Sequence, residues 1–139
     1  MNEKLVIRKE ATEDELESIL DAVEDFGERE DWPPAMLFKV KLAIEELGLN
    51  VAKHGRVDKA PHIEITVTSD PDALTINIED DGRPFDPLSD APELDLTSPI
   101  EDRPIGGLGI HFVREMMDEM TYRREDGKNC LALTLRIVE

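Results

Sequence analysis

Ile63, Ile65 and Val67, and then Leu74, Ile76 and Ile78 beyond the turn residues Ser69-Asp70-Pro71-Asp72, put an apolar side chain at every second position. A period of two in adjoining stretches predicts an antiparallel hairpin with one buried face. The pattern returns near the C-terminus. Thr121–Glu125, the turn Asp126-Gly127-Lys128-Asn129 and the row Leu131, Leu133, Leu135, Ile137 read as a second hairpin, and Leu5–Ile7 as a short strand at an edge. A sheet with one apolar face must bury that face against something else.

The rest of the chain supplies the cover. From Thr12 to Glu30, Leu16, Ile19, Leu20, Val23 and Phe26 recur at spacings of three and four, the stripe of an amphipathic helix. Thr12 followed by Glu15 is a capping-box signature. Asp31-Trp32-Pro33-Pro34 breaks the chain, and a second helix runs from about Pro34 to Lys53 with Gly55 as its stop. A third opens at Gly106-Gly107-Leu108-Gly109 and continues to about Glu119. The order predicts an α+β two-layer sandwich, with helices on one face of a mixed, mainly antiparallel sheet. At 139 residues the chain has room for one domain, since domains run to roughly 100–200 residues. Between the hairpins, Pro84 to Pro104 is rich in Pro and Asp and has no period. Loops beyond about 12–15 residues are uncommon in compact domains and often act as lids or binding loops.

Charge narrows the partners. The chain carries 33 acids against 16 Lys and Arg, a formal charge of −17. Contacts to nucleic-acid phosphates or anionic lipid need cations, so both are excluded as partners. The acidity is local: residues 10–31 hold eleven acids and one base, and residues 79–102 nine and one. On the first helix such a run is a solvated face or a face for docking a basic partner. The single cysteine, Cys130, precludes an internal disulfide, and His54, His62 and His111 lack ligand spacing. No apolar run approaches the 18 or so residues of a membrane span, and no leader sequence is evident, so a cytoplasmic protein is expected.

Three clusters are able to carry chemistry. Glu46, Asn50 and Lys53 share one face of the second helix at i, i+4 and i+7: a carboxylate, an amide oxygen and an ammonium, suited to a base, a hard-cation ligand and a phosphate contact. Taken alone, they are also an ordinary polar helix face. Glu79-Asp80-Asp81-Gly82-Arg83-Pro84-Phe85-Asp86 ends an apolar strand, where an Asp is able to accept from an exocyclic amine and Gly82 to admit a flat ring; Asp and Gly after a strand also make a plain turn. Glycines at 106, 107 and 109 open a helix, an anion site that needs no basic residue, or a hinge. Neither a Walker A loop nor G-x-G-x-x-G after a strand is present.

In this order the clusters resemble the N, G1 and G2 boxes of the GHKL superfamily, whose ATP site is the Bergerat fold. The resemblance spans roughly Met36 to Glu139. LAIEELGLNVAKHG (42–55), IEDDGRPFDP (78–87) and RPIGGLGIHFVREMMDEMTYRREDGKNCLALTL (103–135) are most similar to the stand-alone anti-sigma-factor serine/threonine kinases. It implies ATP and Mg²⁺ as cofactors, Glu46 as general base, Asn50 as Mg²⁺ ligand and Lys53 as a phosphate contact. It also implies Asp80 as acceptor from adenine N6, Gly82 beside the ring, and the run Gly106, Gly107, Leu108, Gly109 around the phosphates. Arg103 becomes a lid cation, residues 84–105 the lid, and Thr134 the last-strand threonine near the adenine-binding Asp. Pro84 departs from the family pattern by replacing the second G1 glycine. The implied activity is phosphorylation of a small antagonist, the anti-anti-sigma protein, with a sigma factor as the other partner and homodimerisation through the N-terminal strand. A nucleotide-gated module that sequesters a regulator without phosphotransfer would share these features.

Overall fold

The structure, a computed structural model, describes residues 3–54, 61–88 and 107–137. The elements run β1 (Glu3–Glu10), α1 (Glu13–Arg29), α2 (Pro34–His54), β2 (His62–Ser69), β3 (Ala73–Asp80), α3 (Gly107–Met116), β4 (Glu119–Glu125) and β5 (Lys128–Arg136). Thr12 caps α1 as its sequence predicts, its hydroxyl accepting from the Glu15 N–H at 3.2 Å. Asp31, at a left-handed φ of 57°, turns the chain off the helix, and α2 follows with Pro34 in its first turn.

The strands form one five-stranded sheet in the order β1-β2-β3-β5-β4. Every pair among the described strands is antiparallel, so the expected mixed sheet is antiparallel throughout them. Helices cover one face. Leu16, Ile19, Val23 and Phe26 of α1, Val40, Ala43, Ile44 and Leu47 of α2, and Val113 of α3 share one core with the alternating residues of β2, β3 and β5. The central helix is α2, which packs against both α1 and α3. Gly48 lets α1 approach closely: a Cβ there would come within 2.5 Å of Leu16 Cδ1.

Two boundaries differ from the sequence expectation, both for hydrogen-bonding reasons. Helix α3 ends at Met116, not near Glu119, because the Asp118 N–H is taken by the Thr134 carbonyl at 2.9 Å and the chain has already joined the sheet. The second hairpin turns on two residues rather than four. Asp126 and Gly127 have φ of 52° and 76°, the pair of positive values that a type I′ turn requires. Glu125 therefore pairs with Lys128, and Lys128 and Asn129 belong to β5.

Candidate functional site

The side chains of β3 that face the helices are Leu74, Ile76, Ile78 and then Asp80, and those of β5 are Leu135, Leu133, Leu131 and then Asn129. Direct register pairs each with its opposite, so the apolar ladder ends on Asp80 opposite Asn129. Both are only 6% exposed. The Asn129 amide donates from Nδ2 to Asp80 Oδ1 at 2.9 Å and to the Arg83 carbonyl at 2.8 Å. Its Oδ1 accepts from the Tyr122 hydroxyl at 2.5 Å and from the Phe85 N–H at 3.2 Å. Asp80 Oδ1 also accepts from the Gly82 N–H at 3.0 Å, while Oδ2 takes no hydrogen bond from the described residues.

Next to this pair lies a small cleft, partly open to solvent. Leu47 and Val51 of α2 with Ile78 and Leu131 of the sheet make its apolar walls; Asn50, Asp80 and Tyr122 bring polar groups, and Phe85 a ring. An apolar slot with a few fixed polar atoms is the usual form of a small-ligand site. Burial raises the Asp80 carboxyl above its ordinary pKa, against the opposing hydrogen bonds from Asn129 and Gly82. Asp81 behaves otherwise. Burial pushes its pKa up, but the hydrogen bonds from His62 outweigh that and hold it low: Oδ1 accepts from the His62 N–H at 2.6 Å, and Oδ2 lies 3.3 Å from His62 Nδ1. Of the two adjacent acids, Asp81 clips β3 to β2 and Asp80 turns into the cleft.

Glu46, Asn50 and Lys53 lie on one face of α2, as the spacing predicts, with Asn50 lining the cleft and Lys53 exposed at the helix end. Glu46 sits where α3 begins. A Cβ on Gly109 would overlap its carboxylate, so the glycine is what allows α3 to start against α2. Burial raises the Glu46 pKa, and the neighbouring Glu45 adds to the rise. Such a carboxylate is a stronger base than an exposed one.

The remaining expected residues divide into three groups. Gly82 is buried beside Asp80, and Gly107 and Leu108 form the first turn of α3 with Gly109. Arg103 and Gly106, with the lid from residue 89 onward, lie outside the described residues. Thr134 is not brought to Asp80. It pairs with Thr75, five register positions along β5 from Asn129 and out of phase with the helix-facing row. Asn129 is the residue that faces Asp80, and with Tyr122 it is the part of the site that sequence reasoning missed. Its signal was present: Asn129 is in phase with Leu131, Leu133 and Leu135, and Asp126-Gly127 is a two-residue turn signature.

Comparison with known proteins places the fold in a family. Residues 9–135 match the histidine kinase-like ATPase domain family. The chain is similar to the serine/threonine-protein kinase BtrW of Bordetella bronchiseptica, 28% identical over 113 residues, covering 81% of this chain and 79% of that protein. It is similar also to the serine-protein kinase RsbW of Bacillus cereus, 28% identical over 95 residues; the match covers 66% of this chain and 59% of the relative. A solved structure of the RsbU and RsbW domains of a Mycobacterium tuberculosis protein superposes with a TM-score of 0.66 at 14% identity, over 96% of this chain and 32% of that one, and so shares the fold. The chain belongs to the histidine kinase-like ATPase domain family.

Proposed function

We propose that the chain is an ATP-dependent protein serine/threonine kinase of the anti-sigma-factor type. On this reading it is a single cytoplasmic domain that phosphorylates a small antagonist protein and regulates a sigma factor by partner switching. One observation carries the proposal: the Asp80 oxygen that takes no hydrogen bond from the described residues, the amide of Asn50 and the partly buried carboxylate of Glu46, held against the start of α3, follow one another along one side of the helix–sheet interface. The kinase names of the relatives support the same reading.

The donors present suit the implied ligands. Among the described residues there is no group of three or more acidic, His or Cys ligands able to hold a metal by itself. Mg²⁺ takes oxygen ligands and usually combines one or two protein groups with substrate phosphates and water, which Asn50 fits. Bound there, Mg²⁺ would neutralise charge on the phosphates. Asp80 would accept from the adenine amine, and the apolar walls would hold the ring. Lys53 and the N–H groups of Gly107, Leu108 and Gly109 would face the phosphates, with Gly106 and Arg103 joining from the lid. Glu46 would take the proton of the attacking serine or threonine hydroxyl as its oxygen bonds to the γ-phosphorus and the bond to the β–γ bridging oxygen breaks, releasing ADP.

The test is to incubate the purified chain with Mg-ATP and a candidate small antagonist protein of the anti-anti-sigma type from the same organism, and to weigh both proteins intact. A gain of one phosphate on the antagonist is expected. Glu46→Gln should lower the transfer rate by about 10²–10⁴-fold with ATP affinity kept. ATP binding and partner binding without transfer would instead identify a nucleotide-gated sequestering module. Unchanged transfer in Glu46→Gln would remove that residue's role.

A further inference from the structure

We propose that Asn129 is a positioning residue that sets the nucleobase preference of the cleft, making it selective for a 6-amino purine over a 6-oxo purine. The inference rests on the nucleotide-binding reading above and goes beyond it in assigning the source of selectivity.

A side-chain amide has two N–H donors and an oxygen with two lone pairs. In Asn129 all four are used: the donors by Asp80 Oδ1 and the Arg83 carbonyl, the lone pairs by the Tyr122 hydroxyl and the Phe85 N–H. Rotating the amide by half a turn would set acceptor against acceptor at Asp80 and Arg83 and donor against donor at Phe85, leaving only the Tyr122 hydroxyl, which can also accept, matched. The side chain therefore has one orientation. Its backbone is fixed as well, because Asn129 and Asp80 are direct partners in the β3–β5 ladder.

That orientation is passed to Asp80. Oδ1 receives two N–H groups, from Asn129 and from Gly82, and Oδ2 receives none from the described residues, although Asp80 lines the cleft. An ionised carboxylate is acceptor-only. A ligand edge that meets Oδ2 must therefore present a donor, as the exocyclic amine of adenine does. The carbonyl oxygen of hypoxanthine at the same position would put two acceptors face to face and leave both unpaired, which is how a buried polar group rejects an analogue.

Asn129 also links the other wall. Its bonds to the Arg83 carbonyl and Phe85 N–H tie the segment after β3 to β5, and Arg124 adds a bond to the Gly82 carbonyl at 2.9 Å. Phe85 lines the cleft. One amide thus fixes both the acceptor and the wall beside it. Apart from Gln, whose amide sits one methylene further out, no other side chain offers this set: Asp lacks the donors, Thr has one, and Ala has neither donor nor acceptor.

The test uses the full chain with Mg²⁺, titrated calorimetrically with ADP and with inosine diphosphate, which avoid turnover. The unaltered protein should prefer ADP by at least about tenfold. Asn129→Ala should weaken ADP binding roughly 10- to 100-fold and change inosine diphosphate affinity by no more than about threefold, so that the preference collapses. Asn129→Thr, which returns one donor opposite Asp80, should recover part of the preference. Equal weakening of both ligands in Asn129→Ala would overturn the proposal, because a merely structural role lowers both alike. Where Asn129→Ala does not fold, Tyr122→Phe serves. It frees one lone pair of the amide and should cut the preference about threefold; an unchanged preference there would overturn the proposal as well. Failure of the unaltered protein to bind either ligand would overturn the nucleotide reading itself, a result distinct from binding without base selectivity.

Discussion

Strands β3 and β5 have two ends of opposite character. At one, Leu74 faces Leu135; at the other, Asp80 faces Asn129, three alternate positions further along. Burial does not separate them, since all four are no more than 6% exposed. Nor does the backbone, because one continuous antiparallel ladder carries both. What differs is the kind of group each end presents and whether the described residues use all of its hydrogen-bonding capacity. The apolar end is complete without a ligand. The polar end spends four hydrogen-bonding valences on holding Asn129 and leaves one carboxylate oxygen toward the cleft. On the proposed function, two polar side chains at the end of a core ladder make the binding site, and the comparison then implies that stability and chemistry separate along the same two strands.

The largest expected effect lies at the apolar end. Ile76→Ala removes a fully buried side chain that faces Leu133 and should cost about 2–5 kcal/mol of unfolding free energy in chemical denaturation. The folded fraction should still bind ATP with near-normal affinity. A selective loss of ATP affinity, with stability intact, would show that the two ends are not separable. The next effect is at the chemical end. Gly109→Ala brings a methyl group into the Glu46 carboxylate, which is the far end of a flexible side chain and can move. The fold should tolerate this, with little change in the melting temperature, while phosphotransfer falls by about 10²-fold, the scale for misplacing a catalytic group by roughly 1 Å. Full activity in that variant would argue that Glu46 is not held in a productive position by its contact with α3.

Asp80→Asn sharpens the comparison further, with a smaller effect. Asn keeps an oxygen for the Gly82 and Asn129 donors but offers N–H groups in place of the free acceptor. ADP should bind more weakly and inosine diphosphate more strongly, narrowing or reversing the preference. Stability should move the other way. Because burial raises the folded-state pKa of Asp80, its proton is bound more tightly in the folded chain than in the unfolded one. That favourable contribution is complete below the unfolded value, around pH 4, and is lost as pH rises through the folded value, so ionised Asp80 is a cost at neutral pH. Asp80→Asn should raise the melting temperature at pH 7 and flatten its fall with pH over that interval. ADP binding in the unaltered chain should weaken as pH falls through the same folded value, because the protonated acid no longer offers a charged acceptor. A steeper pH dependence in the variant would contradict this sign.

Most of the fold was legible because it rests on periodicity. The stripe of α1, the Thr12 cap and the apolar rows of β2, β3 and β5 are all in the sequence and all in the structure. Asp80 was legible as well, since it continues the phase of Leu74, Ile76 and Ile78. The choice of Asp80 over Asp81 has its physical basis in that alternation, which points one acid to the cleft and leaves the other for His62. Thr134 failed for the same reason. Its position is out of phase with Leu131, Leu133 and Leu135, so no placement of the strand that keeps those three in the core brings it to the helix-facing side. Asn129 was hidden by turn length. A four-residue turn leaves it in the loop, whereas the two-residue turn puts it in β5 with its side chain inward. The contacts of Gly109 with Glu46 and of Gly48 with Leu16 were not legible, because they depend on how closely the helices pack and no period encodes that.

The turn itself supplies the smallest test. Gly127 has a φ of 76° and no atom within 4 Å of where a Cβ would lie, so Gly127→Ala meets no steric neighbour, only the cost of a positive φ. That cost is about 1 kcal/mol. If the turn only connects two strands, the variant should lose this much stability and nothing else. If it also sets the register that places Asn129 opposite Asp80, some of the molecules should pair β4 and β5 differently, and a one-residue slip sends every side chain to the other face. The preference for ADP over inosine diphosphate would then fall along with stability. Because Asn129 is held by four hydrogen bonds and Leu131, Leu133 and Leu135 anchor β5 to the core, the expected result is the first one. A stability loss of about 1 kcal/mol with the preference unchanged would show that register is fixed by the strand's buried side chains, the polar one included, rather than by its turn.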